Sequence, residues 1–303
     1  MPDAAAEPMC AIVAPVRGEA PYLIEWIAYH RLRGVYRFLL ADNGGDDGTS
    51  ELLQRLSRHG FVKRLDWRER RYFQLQFYRH VIQEVANTER LVLIFIDVDE
   101  FLRSHAGAPG IPRLARSLFA DDSVSAVALN WAVYGSSGHL TAAPDLVLER
   151  FRRRGRRSHP IHRHVKTMVR ADRCAAPGNN PHAFALTGGR YVTPLGSDVE
   201  WDTSVEPQGL SKEVTWNRLR VDHFVVKSRE EFERKRARGS AVRPHTEELR
   251  ATASYFDLHD RNEVEDPMHP DLVAETRAEV ERIRNALENE PAAEGGPAGM
   301  PHA

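Results

Sequence analysis

Strand-like and helix-like patterns alternate without interruption from residue 11 to residue 96, and this alternation restricts the fold more than any other feature of the chain. Residues 11–16 (Ala-Ile-Val-Ala-Pro-Val) read as a buried strand. Pro21 opens a helix carrying Leu23, Ile24, Trp26 and Ile27, and Gly34 closes it. Residues 37–41 form a second strand that runs into a loop of turn-formers at 42–48. Thr49 or Ser50 caps a helix bearing Leu52, Leu53 and Leu56, which ends at Gly60. A strand at 61–65 and a helix at 72–85, with Phe73, Phe77, Val81 and Val85 at helical spacing, come next. Residues 91–96 are then purely apolar, as the centre of a parallel sheet demands. The βαβαβαβ order predicts an α/β fold: a Rossmann-like, mostly parallel sheet with helices on both faces. Ligands of such sheets collect at the carboxyl ends of the strands. Arg17, Asp42, Asp97 and Asp99 all fall at such ends.

The second half is less regular. Residues 124–131 read as a strand, 135–139 as a loop and 220–226 as a short strand. Ser228 and Glu231 have capping-box spacing for a helix over 229–238. Val273, Thr276, Val280, Ile283 and Leu287 form one stripe of a late helix. Residues 150–173 hold ten Arg and Lys against one acid, Asp172, and the stretch around residues 152–157 within them reads as a solvated hairpin or loop. Only Phe151 interleaves the run from Arg150 to Arg157, so single-strand nucleic-acid binding is not expected. The boundaries expected are a disordered 1–9, one domain over 10–245, a helical extension over 246–290 and a Pro/Gly/Ala-rich disordered tail over 291–303.

A formal net charge of −1 gives no global attraction to nucleic acid or anionic membrane. Two cysteines, Cys10 and Cys174, do not make a disulfide framework in 303 residues, and a reducing, cytoplasmic setting is expected. The first residues lack the basic start and apolar core of a secretory signal, and no apolar run is long enough to span a bilayer; any membrane visit is peripheral.

Chemistry concentrates at Asp97-Val98-Asp99-Glu100. On a strand, residues i and i+2 share a face, so the two carboxylates are expected to converge where the strand leaves the sheet. Hard divalent cations take one or two carboxylates together with substrate phosphates. The same residues also fit a solvated acidic turn or carboxylates paired with basic side chains. Asp42 suits either a ribose contact or an Asx-type cap of the Gly44-Gly45 turn. His223 is the candidate distal metal ligand, with His182 as its competitor, and Lys227 and Arg238 are candidate cations for a diphosphate.

These residues, in order, resemble a known group. Ala14-Pro15-Val16-Arg17, Glu25 to His30, Asp42-Asn43, Asp97 to Phe101, Asn130-Trp131, Tyr134 to Gly138, Glu149 to Phe151, Lys166 to Arg170 and His223 with Lys227-Ser228 are similar to glycosyltransferase family 2 and family 92-like proteins. The resemblance covers residues 10–240. It implies a GT-A fold whose nucleotide-binding half is 10–103 and whose acceptor and metal-completing half is 104–245. It further implies a nucleotide-sugar donor, UDP-linked, a saccharide or lipid-linked acceptor, Mn²⁺ or Mg²⁺, and work in surface polysaccharide or glycoconjugate synthesis. By position, Asp99 binds the metal, Asp97 supports the ribose or the metal shell, His223 completes the shell, and Pro15, Arg17, Asp42 and Lys227 line the donor pocket. An inverting transfer needs a carboxylate base. Glu149 is the candidate, with Asp198, Glu200 and Asp202 as others; the Glu-Asp pair usual in family 2 is not found. A nucleotidyltransferase and a non-catalytic nucleotide-sugar-binding protein are the competing readings.

Overall fold

The computed structural model describes residues 7–68, 70–104, 110–204, 209–239 and 253–289. Of the expected disordered ends, residues 1–6 and 291–303 lie outside the described residues; residues 7–9 are described, and Met9 already belongs to the first strand.

The strands are β1 (Met9–Val16), β2 (Arg37–Asp42), β3 (Lys63–Asp66), β4 (Leu91–Phe95), β5 (Glu100–Ser104), β6 (Val124–Val133), β7 (Arg153–Arg154), β8 (Val165–Arg170), β9 (Cys174–Pro177), β10 (Phe184–Leu186), β11 (Arg190–Val192), β12 (Leu219–His223) and β13 (Val264–Glu265). The helices are α1 (Ala20–Leu32), α2 (Thr49–Arg58), α3 (Gln74–Val85), α4 (Ile111–Leu118), α5 (Val147–Arg150), α6 (Arg229–Ala237), α7 (Ala253–His259) and α8 (Pro270–Glu288). The main sheet runs β3-β2-β1-β4-β8-β6-β12-β5, and β11 pairs with the start of β6.

The β3-β2-β1-β4 half is wholly parallel, as the alternation predicts. Beyond β4 the sheet is mixed: β8 runs antiparallel between β4 and β6, and β5 antiparallel at the edge against β12. Alternate residues of the central strands divide between two cores. Ala11, Val13, Leu91, Leu93 and Phe95 face the side covered by Phe77, Tyr78, Val81 and Ile82 of α3. Cys10, Ile12, Ala14, Val92 and Ile94 face the side covered by α1, α2 and α4. The strand period of two thus buries both faces of β1 and β4, which is why neither shows a polar side.

Helix α1 is buried along most of its circumference, including Leu23, Trp26, Ile27, Tyr29 and His30. One face meets the sheet, and α8 packs on it from outside. Val280, Ile283 and Leu287 of α8, with Phe256 and Met268, join the main core. The described part of the segment expected as an extension, 253–289, packs against α1, which has too much apolar surface to leave one side in water. The expected capping box is present: the Ser228 hydroxyl accepts from Glu231 N–H at 3.2 Å, and Glu231 Oε2 accepts from Ser228 N–H at 3.1 Å.

Basic residues in and around the 152–157 stretch are partly built into the fold. Arg150 is buried in a bidentate pair with Glu231 at 2.7 and 2.8 Å, Arg154 pairs with Asp266, and Lys166 is buried at the centre of the sheet. Thr49 is the first residue of α2, not its cap; the position before it is Gly48 in a left-handed conformation. The Thr49 hydroxyl caps α1 instead, accepting N–H groups of Glu19 and Ala20 at 2.8 and 2.9 Å.

Candidate active site at the Asp97 to Glu100 turn

Strand β4 ends at Phe95, so Asp97 and Asp99 are not two residues of one strand. Residues 97–100 form a turn closed by Glu100 N–H on the Asp97 carbonyl at 3.0 Å. The turn carries the chain away from the middle of the sheet to β5 at its far edge. It also sends the two carboxylates to different partners, which corrects the expectation that they converge.

Asp97 is one-third exposed and is held from the protein side. Its Oδ2 accepts from Lys166 Nζ at 2.8 Å and its Oδ1 from Gln74 Nε2 at 3.0 Å. Lys166 Nζ also lies 3.2 Å from Glu100 Oε2. Burial lowers Lys166, but Asp97 and Glu100 outweigh it and keep the ammonium well above the ordinary lysine range. Burial pushes Glu100 the other way, up to about 8, against the pull of Lys166 and with the help of Asp97 and Asp99.

Asp99 is buried and faces a different set. Its Oδ2 accepts from Lys235 of α6, and its Oδ1 stands 3.6 Å from His223 Nε2. Burial would raise this carboxyl, yet Lys235, His223 and Lys227 outweigh it and hold Asp99 well below the usual carboxylate range. Burial lowers His223, and the attraction of Asp99 only partly restores it. His223, not His182, is therefore the histidine at this carboxylate. His182 Nδ1 bonds the Val165 carbonyl at 3.0 Å, and its ring packs edge-on against Trp131. The same indole packs on His223 with centroids 4.3 Å apart.

A group of cations borders Asp99. Lys227 is buried in a left-handed backbone conformation, φ 54°, which is costly for a residue with a Cβ. Its ammonium lies 4.1 Å over the Tyr22 ring and has no hydrogen-bond acceptor among the described residues. Burial lowers it, while Glu19 and Asp99 oppose the loss of its proton. Arg238 is already committed: it donates to the carbonyls of Arg17 and Gly18 at 2.5 and 2.6 Å and pairs with Glu19. It braces the β1–α1 loop rather than offering a free charge. The Arg17 side chain, at the end of β1 beyond the half-buried Pro15, has no partner among the described residues.

Asp42 is a correction. It is wholly buried, and its oxygens take Gly44 N–H at 2.9 Å, the Ser50 hydroxyl at 2.8 Å and Arg64 Nε at 2.7 Å. This is the Asx-type turn, with a carboxylate that shapes the loop and leaves no oxygen open to a ribose. The candidate bases are likewise engaged. Glu149 caps α5 and pairs with Arg277 of α8; Asp198 pairs with Arg190, Glu200 with Lys212, and Asp202 with Arg163. None of these contacts reaches Asp99, His223 or Lys227.

Sequence reasoning missed Lys166, Lys235, Gln74 and the part played by Glu100. A signal existed for Lys166: a lone charge inside the apolar run of residues 165–169 must find a buried partner. Lys235 had none, since α6 is charged on most of its surface.

Among the described residues, no three of His, Cys, Asp and Glu converge as a metal-holding group, and no helix is long and apolar enough to cross a membrane. Cys10 and Cys174 are both buried and free.

Comparison with known proteins covers much of this region. A glycosyltransferase family 92 protein of Arabidopsis thaliana is 33% identical over 136 residues, 42% of this chain and 23% of the relative. One from Ricinus communis is 34% identical over 135 residues, again 42% and 23%. The match thus takes in about a quarter of the length of these curated relatives. A crystal structure of S. aureus TarS 1–349 in complex with UDP-GlcNAc corresponds over 54% of this chain and 45% of its own, at 10% identity and a TM-score of 0.35. The profile of glycosyltransferase family 92 spans residues 9–194, from the first strand through the Asp97 to Glu100 turn, Lys166 and His182, and on that match, which takes in well over half of the 303 residues, the chain belongs to glycosyltransferase family 92.

Proposed function

We propose that this chain transfers a sugar from a nucleotide-sugar donor, UDP-linked, to a saccharide or lipid-linked acceptor in glycoconjugate or surface polysaccharide synthesis, with Mn²⁺ or Mg²⁺ held at Asp99 and His223. The observation that carries this reading is the Asp99–His223 pair with the Lys227 ammonium near enough to stabilise the Asp99 charge. A carboxylate oxygen and an imidazole nitrogen 3.6 Å apart are too far for a hydrogen bond and suit two neighbouring ligands of one cation. Such cations keep only one or two protein carboxylates and fill their remaining positions with phosphate and water. In this reading Asp99 and His223 would be the two protein ligands, and Asp97, which Lys166 holds, is left out.

Departure of the sugar leaves negative charge on the nucleoside diphosphate. When bound, the cation supplies Lewis-acid stabilisation of that charge. Lys227 contributes a fixed ammonium that needs no reorganisation at the moment of reaction. Arg17 adds a second cation at the end of β1. Lys235 neutralises the outer oxygen of Asp99 and keeps the carboxylate ionised.

Thermal shift with a panel of nucleotide sugars, with and without Mn²⁺, tests the reading directly. A ligand at 100 times its dissociation constant adds about 2.7 kcal/mol of stability. Mn²⁺-dependent stabilisation that disappears in Asp99→Ala, together with loss of transfer, is the expected result. Transfer that is indifferent to Asp99→Ala and to chelation refutes it.

A further inference from the structure

Two of the stretches on which the family resemblance rests, Tyr134 to Gly138 and Glu149 to Phe151, have no part in the proposed donor site. The fold brings them together around an open cleft of about 520 Å³. The first leaves the sheet beside the proposed cation site, where Tyr134 N–H bonds the His223 carbonyl at 2.9 Å. His139 Nε2 ties it to the second by donating to the Arg150 carbonyl at 3.0 Å. Ser137, in a left-handed conformation at φ 51°, fixes the turn between them. Its hydroxyl accepts the N–H groups of Arg152 and Arg153 at 2.9 and 3.2 Å, and its own N–H bonds Asn262 Oδ1 at 2.8 Å. Behind the cleft Arg150 pairs with Glu231, Glu231 accepts the Tyr22 hydroxyl, and the Lys227 ammonium lies over the Tyr22 ring. One file of contacts therefore joins the cleft to the donor side.

Every described residue that lines the cleft is polar or charged. The guanidiniums of Arg152, Arg153 and Arg277 stand against the carboxylates of Asp145, Glu149 and Glu265, and Arg150 is neutralised by Glu231. The walls thus carry no net charge to attract a polyanion or a cation, and no apolar surface to hold a hydrophobic ligand. They offer donors and acceptors side by side, because a guanidinium only donates and a carboxylate only accepts. A polyol, whose adjacent hydroxyls each do both, is the ligand that uses the two kinds together. The pairs within the walls, Arg152 with Glu265 at 3.4 Å and Arg277 with Glu149, lie at the surface and are weak enough for hydroxyls to share. The volume falls within the range of about 300–1,000 Å³ usual for small-molecule sites. Resting on the transfer proposed above, we infer that this cleft binds the acceptor, an uncharged oligosaccharide held through its hydroxyls by Arg152, Arg153, Arg277, Asp145 and Glu149.

An array of uncharged, sulfated and sialylated oligosaccharides, probed with the full chain with and without UDP and Mn²⁺, reads the ligand class. Binding is expected among the uncharged glycans. The strongest of them is then titrated by saturation-transfer NMR against the wild type, Asp145→Ala and Arg152→Ala, both at exposed positions. Each variant is expected to melt as the wild type does, to bind that glycan about 10-fold more weakly and to keep its affinity for UDP. Binding confined to sulfated or sialylated glycans, binding to no glycan, or equal binding by the wild type and both variants overturns the inference and leaves the donor reading standing. A chain that binds no UDP overturns the donor reading, while the glycan titration without nucleotide still decides whether the cleft holds a saccharide.

Discussion

Lys166 Nζ lies 2.8 Å from Asp97 Oδ2, and its side chain is almost wholly buried at the point where β8 crosses the end of β4. This pair, extended to Glu100, anchors the turn that presents Asp99. Replacing Lys166 by Met leaves the buried Glu100 and the one-third-exposed Asp97 without their cation. Loss of one partner from a buried pair costs roughly 3–5 kcal/mol. Urea denaturation of Lys166→Met should show a loss of that order, and a change below about 1 kcal/mol would mean that the pair is not structural.

Lys227 is predicted to oppose stability and function to each other. Lys227 is a buried residue on a strained backbone, with no hydrogen-bond acceptor among the described residues. Lys227→Met relieves the charge burial, so the free protein should melt at a higher temperature than the wild type. UDP binding should weaken by ~10-fold, about 1.4 kcal/mol. Calorimetric titration with UDP and Mn²⁺ checks the second point; unchanged affinity would remove Lys227 from the donor site.

The Arg150–Glu231 pair ties α5 to α6, and Tyr22 donates to the same carboxylate at 2.9 Å. Because α6 carries Lys235 to Asp99, loosening this anchor should reach the site. Arg150→Met is expected to cost roughly 3 kcal/mol of stability and to lower Mn²⁺-dependent UDP affinity. A variant that loses stability but keeps full affinity would show that α6 is held in place by its other contacts.

Acid should unfold the protein through its buried neutral histidines. His30 donates from Nδ1 to the Trp26 carbonyl at 2.8 Å and accepts Leu102 N–H at Nε2, so neither nitrogen has room for a second proton. Burial holds it down to about 3, and holds His259 to about 3 and His162 to about 4. A histidine lowered in the folded state binds fewer protons there than in the unfolded chain. Its stabilisation is therefore complete above pH 6.5 and is lost as pH falls toward 3. For His30 the full swing is about 5 kcal/mol. Glu25, which burial raises to about 7 although it accepts the N–H groups of Val147 and Leu148, works in the opposite direction. Its contribution is complete below the ordinary glutamate value and fades as pH rises through 7. Denaturation midpoints measured from pH 4 to pH 9 should rise steeply to about 6.5 and then level or decline; a flat acid limb would contradict the histidine assignment.

Much of the fold was legible because period and punctuation act locally. The apolar run ending at Ile96, the glycines at 34 and 60 and the Ser228 capping box each declare their structure within a few residues. Thr49 shows where local reading fails. A threonine at a helix start is a good cap by itself, yet here its hydroxyl serves the neighbouring helix, which only the folded sheet brings close. The placement of Asp97 and Asp99 failed for a related reason. The carboxylates look alike along the chain, but the strand stops one residue short of the expected end and the turn divides them.

Sequence alone determined the α/β class, the parallel order of the first four strands, and the presence of an acidic cluster at their carboxyl edge, since these follow from spacing along the chain. Tertiary structure decided which acid meets which cation. Lys166 meets Asp97 from 69 residues away and Lys235 meets Asp99 from 136. His223 reaches Glu100 only through the register of an antiparallel ladder. Electrostatic partnership depends on distance and burial, and both are set by how the strands pack rather than by where the residues stand in the chain.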